Sequence, residues 1–185
     1  MSHPAPSLQD RWLTQYYLAR TAFSLIWVAA ALTLGLQHPG FGAVLLVIYP
    51  LWDAAANYAD AARNGGLGRN RTQAVNVLVS VVTTLSVLIA LQSGLSAVLA
   101  VFGAWAVLSG LLQLATAIRR WKAGAQWAMV LSGAQSALAG TFFVIQAQQS
   151  VPGLLPTIAG YAAFGAIYFL VSALWLIIGN RLRRR

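Results

Sequence analysis

Residues 72–118 read TQAVNVLVSVVTTLSVLIALQSGLSAVLAVFGAWAVLSGLLQLATAI, 47 residues without a single charged side chain. A helix rises about 1.5 Å per residue and a bilayer's hydrocarbon core is about 30 Å thick, so one crossing takes roughly 20 residues. The stretch holds two crossings, with Gln92-Ser93-Gly94 as the turn between them. A second uncharged stretch, between Lys122 and Arg181, is 58 residues long and holds two more. A third block, Tyr16 to Ala62, carries only Arg20, Asp53 and Asp60, and it too has room for two. The pattern predicts an all-α integral membrane protein of six transmembrane helices. It forms a single transmembrane domain over residues 1–185, with spans Leu13–Leu36, Phe41–Ala62, Ala74–Leu91, Leu95–Ile118, Ala125–Ala147 and Leu154–Ile178.

Only 8% of the chain is charged, against about 25% in soluble domains. The net charge of +9 and pI near 11.2 do not mark a nucleic-acid surface. The basic residues flank the apolar blocks, where the positive-inside rule places them on the cytoplasmic side. Arg11 precedes the first span. Arg63, Arg69 and Arg71 lie in one connection and Arg119, Arg120 and Lys122 in another, while Arg181, Arg183, Arg184 and Arg185 form the tail. The short connections Gln37–Gly40, Gln92–Gly94 and Gln148–Gly153 carry no Lys or Arg. Both termini are therefore expected in the cytoplasm, with anionic lipid as the partner of the tail arginines. The polar start, Met1 to Asp10, followed by a long apolar run, reads as a retained first helix rather than a cleaved signal.

The spans read as three repeated hairpins. An offset of 112 residues lays Ser132-Gly133-Ala134 on Arg20-Thr21-Ala22 and Ser136 on Ser24, and an offset of 54 lays Gly94–Leu99 on Gly40–Leu45. Small residues recur at packing distance: Ser132, Ser136 and Gly140, and Ala106 and Gly110. Such stripes let membrane helices approach closely.

The stretch Gly103-Ala-Trp-Ala-Val-Leu-Ser-Gly-Leu-Leu-Gln-Leu, with Arg119-Arg120-Trp121 after it, resembles a helix end of the HdeD-like membrane proteins. Tyr17-Leu-Ala-Arg20-Thr-Ala resembles the opening of that family's first helix, Val130-Leu-Ser-Gly133-Ala that of its fifth, and Pro39-Gly40 and Pro152-Gly153 its short outer turns. The resemblance covers nearly the whole chain through architectural motifs. It implies a small bacterial inner-membrane protein of three helical hairpins, with a role in acid resistance in some members. Tyr49-Pro50-Leu51-Trp52-Asp53 departs from the family's usual run of small residues and introduces a helix breaker and an acid.

Asp53 is the sharpest candidate. Counted from Phe41 it lies about 18 Å deep, slightly past the midplane, where a carboxylate is costly unless paired, protonated or wet. Asp53, Asn57 and Asp60 share one helix face. Folding the first hairpin about its turn brings Arg20 level with Asn57, between the two carboxylates. Three arrangements are open: a buried ion pair fixing the hairpin register, a proton or ion relay, or an arginine snorkelling inward beside a protonated Asp53. His38, in an outer turn, is a candidate pH sensor because histidine ordinarily titrates near neutrality, and equally an exposed turn residue. Trp12, Trp121, Trp127 and Trp175 fall near the inner interface, as anchors do, whereas Trp27, Trp52 and Trp105 fall mid-span as packing residues.

There is no cysteine, His3 and His38 are too far apart to suggest a metal site, and no nucleophile triad or phosphate loop is present. Neither cofactor nor metal nor enzymatic activity is expected. The leading reading is a non-enzymatic HdeD-like protein of acid or envelope stress. The alternative is a small transporter or channel, proton-coupled through Asp53, and a third reading is a homo-oligomer or a subunit of a larger membrane complex. The topology is directly testable. Reporters fused at Arg69, Lys122 and the C-terminus should report cytoplasm, and those at Pro39, Gly94 and Pro152 the opposite side. An externally accessible C-terminus would refute the six-span arrangement.

Overall fold

The computed structural model describes residues 8–119, 127–149 and 153–182. Within them the chain forms six long helices: α1 (Leu8–Ala30), α2 (Pro39–Arg63), α3 (Arg71–Ala90), α4 (Leu95–Arg119), α5 (Trp127–Ala147) and α6 (Leu154–Leu182). Every one is long and apolar enough to cross a membrane. Their outward faces are apolar around the bundle, with Ile26, Leu78, Ile118, Leu138 and Trp175 all exposed; lipid is the solvent that such a surface suits. Helices overrun the predicted spans at the arginine end, because a helix satisfies its own backbone there and lets Arg63 and Arg181 reach water. The predicted start of the fifth span at Ala125, the turn residue Pro152, the basic residues Arg120 and Lys122 and the tail residues Arg183, Arg184 and Arg185 lie outside the described residues.

The helices form a closed ring in which tight and loose neighbours alternate. Close backbone approach joins α2 to α3, α4 to α5, and α6 to α1. The two helices of the first outer hairpin, α1 and α2, meet closely mainly through Ala31–Gly35, where the first helix widens into a π-helical turn. There a side chain on Gly42 would stand 2.9 Å from the Gly35 carbonyl oxygen. Nothing in the sequence signalled that widening. α5 and α6 meet through side chains, Ser136 with Tyr161 at 2.6 Å and Tyr168 to Gln135 at 2.5 Å.

Buried positions repeat every 56 residues. Ser24, Ser80 and Ser136 are all buried, as are Ala31, Val87 and Phe143; Leu46, Phe102 and Ile158; and Ala61, Ala117 and Ala173. The helix limits agree: α2 runs from 39 to 63 and α4 from 95 to 119. The 112-residue offset read from the sequence is two such periods. The 54-residue offset gives way to 56, because packing rather than the turn glycines sets the register. At 56, Gly94 corresponds to His38, and each precedes a helix and accepts a backbone hydrogen bond from the residue four further on. Gly94 has φ +103, a conformation that glycine adopts without steric cost.

The small-residue stripes lie inside the bundle. They bring α4 and α5 into backbone contact: a side chain on Gly110 would meet the Gly133 carbonyl at 2.5 Å, and one on Gly140 the Gly103 carbonyl at 2.5 Å. Gly110→Leu should therefore force the two helices apart and destabilise the protein by about 1–3 kcal/mol or more. Gly160→Ala, where nothing lies within 4 Å, should be neutral. Thermal unfolding of both variants in one detergent checks this, and equal melting temperatures would refute the crossing.

Candidate functional site: an ionic ladder between the first two helices

Where the backbones of α1 and α2 draw apart, side chains bridge them in rungs one helical turn apart. At the arginine end the Trp12 indole N–H donates to Asp60 Oδ1 at 3.1 Å. One turn deeper, Tyr16 donates to Asn57 Oδ1 at 3.4 Å. At the next rung Arg20 donates to Asp53 Oδ1, forming the one ion pair among the described residues. Phe23 stacks on Trp52 with ring centroids 4.5 Å apart, and the Trp27 indole N–H donates to the Leu45 carbonyl at 2.7 Å. Helical periodicity explains the ladder: residues 12, 16 and 20 face one way on α1 and residues 53, 57 and 60 one way on α2.

Arg20 and Asp53 are both largely buried, at 13% and 16% side-chain exposure. Asp53 lies 14 residues into α2, about 21 Å from its start, near the middle of the span. Its carboxylate is well supplied with donors. Asn57 Nδ2 and Ser80 Oγ reach Oδ2 at 2.8 and 2.7 Å, so α3 joins the site. Arg20 also donates to the Tyr16 hydroxyl at 2.8 Å and lies over the Phe169 ring of α6, 4.3 Å from its centroid. A cation on an aromatic face gains about 0.5–2 kcal/mol, more when desolvated. Arg20 Nε and Trp52 Nε1 are buried without a hydrogen-bond partner.

Asp60 is a separate centre one turn from the end of α2. It is buried and held by neutral donors: Trp12, Asn64 Nδ2 at 3.0 Å and Gln73 Nε2 at 2.5 Å. Arg63 lies over the Trp12 ring at 4.3 Å. Arg20 thus sits one rung deeper than the hairpin construction placed it, because Tyr16, not Arg20, is level with Asn57. Pro50 is buried within an unbroken α2, and the carbonyl beside the one it deprives of a donor, that of Leu45, is met by Trp27. His38 is exposed in the outer turn, remote from the ladder. Among the described residues no three His, Cys, Asp or Glu side chains converge.

Sequence reasoning missed Tyr16, Gln73, Ser80 and Phe169, and it read Trp12 as a lipid anchor only. The four-residue spacing of Trp12, Tyr16 and Arg20 was the signal, since it runs antiparallel to the three- and four-residue spacing of Asp60, Asn57 and Asp53, and both keep to one helix face. Phe169 and Ser80 come from α6 and α3, and no local pattern announces them.

The ladder departs from the internal repeat. One period on from Arg20 and Asp53 stand Asn76 and Ser109, and two periods on, Ser132 and Gly165. Gln113, one period on from Asn57, and Ser132, two periods on from Arg20, lie 3.5 Å apart across the close α4–α5 pair, which corresponds to α2–α3 rather than to the ladder. The family described as "Short repeat of unknown function (DUF308)" matches residues 77–145. That stretch covers most of α3, all of α4 and most of α5, and of the carboxylate's neighbours it includes only Ser80. Neither the comparison with curated proteins nor that with solved structures gives a match.

Proposed function

We propose that the chain is a non-enzymatic protein of the bacterial inner membrane, HdeD-like in kind, with both termini cytoplasmic. Its role is in acid or envelope-stress resistance and is exercised through the Arg20–Asp53 pair. The match of residues 77–145 to a short repeat of unknown function, in a chain of six helices apolar enough to cross a membrane, supports the kind. The ion pair carries the role: a charge at the centre of a span costs about 2.5–3.5 kcal/mol even on the lenient insertion scale. The other two repeats pack the same positions without charge, so the architecture itself does not require the pair. Protonating Asp53 would remove the attraction to Arg20 and loosen the α1–α2 seam that side chains bridge. His38, exposed at the opposite end, has no comparable connection to the bundle. The tail from Arg181 onward, of which Arg181 is exposed, would lie against anionic lipid.

A proton-coupled transporter is the second reading, favoured by the same midplane carboxylate. Transporters of that kind carry a polar cavity at the midplane. An open groove of about 600 Å³ between α5 and α6 is mainly apolar and is not lined by Asp53.

The test is survival of an acid challenge by cells lacking the gene and carrying wild type, Asp53→Asn or Arg20→Leu at matched membrane levels. Wild type should restore survival, and both variants should restore at least tenfold less. Equal survival with and without the gene would reject the stress role. Proton uptake by proteoliposomes under an imposed substrate gradient, abolished in Asp53→Asn, would establish the transporter instead.

A further inference from the structure

The two halves of the bundle are built differently, and Asp53 sits at their boundary. Toward the short turns the buried core is made of large side chains, among them Trp27, Leu46, Leu99, Phe102 and Ile158. Tyr49 and Trp105 close against one another edge-on at 5.9 Å just beyond Asp53. The buried hydroxyls of Thr83 and Thr84 in that half bond back to their own helix. Toward the arginine end the buried apolar residues of α2, α4 and α6 are alanines, such as Ala54, Ala61, Ala117 and Ala173. There the α1–α2 seam is filled by hydrogen-bonding groups, from Asp60 at the end to Asn57, Tyr16 and Asp53 in the middle.

We propose that Asp53 exchanges its proton with the arginine-bearing side of the membrane only, through the α1–α2 seam, with Asp60 as the first carboxylate on the route. The inference rests on reading Asp53 as the protonatable member of the pair. In the exchange a proton from that bath passes to Asp53 Oδ, the carboxylate becomes a neutral acid, and Arg20 keeps its charge over Phe169. The titratable groups around Asp53 are Arg20 and Tyr16 on α1, Tyr49 and Asp60 on α2 and Tyr161 on α6; α3 contributes the Ser80 hydroxyl. The Tyr16 hydroxyl and the Asn57 carboxamide continue from Asp53 toward the arginine end by hydrogen bonds, whereas beyond Asp53 the hydroxyls of Tyr49 and Tyr161 are enclosed among the packed aromatic and aliphatic side chains of the core. With the arginine end cytoplasmic, acid would be sensed inside the cell.

The chain has three acidic residues, which makes an infrared measurement tractable. The full-length protein, carrying isotope-labelled aspartate, is placed in liposomes of defined orientation, and the two baths are acidified separately. The carbonyl stretch of a protonated aspartate is recorded and assigned with Asp53→Asn. Should that variant fail to fold, Asp60→Asn and Asp10→Asn assign the band by exclusion. The band of Asp53 should grow at least fivefold on acidifying the arginine-side bath and stay flat on acidifying the other. Trp27→Ala, which thins the packed layer, should make it respond to both. A wild-type band that follows the opposite bath or both baths, or no Asp53 band under either, overturns the proposal. Loss of the acid-survival phenotype leaves this readout unaffected, so the two failures are distinguishable.

Discussion

A full charge in the middle of a membrane span has to be answered by another, and that requirement organises the first third of this molecule. Asp53 is largely buried where it lies. It is met by Arg20 from α1, by Asn57 from its own helix and by Ser80 from α3. Arg20 in turn rests on Phe169 of α6. One carboxylate thereby draws four helices together. A pair of this kind is weak evidence of net stability, because desolvating both ions offsets much of their attraction. Its firm consequence is register: either partner without the other would be a lone buried charge.

The architecture around the pair is repetitive and does not need it. The 56-residue period places a buried serine on α1, α3 and α5 and a small residue or proline at 50, 106 and 162. Close approach between consecutive hairpins is made by glycine and alanine, most tightly where Gly110 meets Gly133. Between α1 and α2 polar rungs, one of them an ion pair, take the place of backbone contact over most of the span; between α5 and α6 the uncharged pairs Ser136–Tyr161 and Tyr168–Gln135 do so. The tight pairs α6–α1 and α2–α3 are thus separate packed units joined by a side-chain ladder, and a change of charge on that ladder acts on the joint between them.

The sequence made the helix number and the burial of Arg20 and Asp53 legible, because lipid punishes charge severely enough that its absence over 47 residues has one reading. It also placed Asp53, Asn57 and Asp60 on one face, since helical spacing is rigid. It did not show that Asp60 is satisfied by neutral donors, because Gln73 and Trp12 lie 13 and 48 residues away and reach it only through helix packing. The π-helical turn and the separation of α1 from α2 were invisible for the same reason: both depend on how glycines of different helices meet. The stripe of Ser132, Ser136 and Gly140 was legible as a packing face, and the structure shows α4 packed upon it.

The central claim is that Arg20 and Asp53 act as one electrostatic unit across the α1–α2 seam. The most direct measurement is a double-mutant cycle of thermal stability in a single detergent, using Arg20→Leu, Asp53→Leu and the double variant. Removing one member of a buried pair typically costs about 3–5 kcal/mol, while replacing both is far milder. Arg20→Leu should be the gentler single change, since Asp53 can then protonate. Each single variant should melt well below wild type, and the double variant should recover part of the loss. Strict additivity of the two changes, which contacting residues rarely show, would contradict the account.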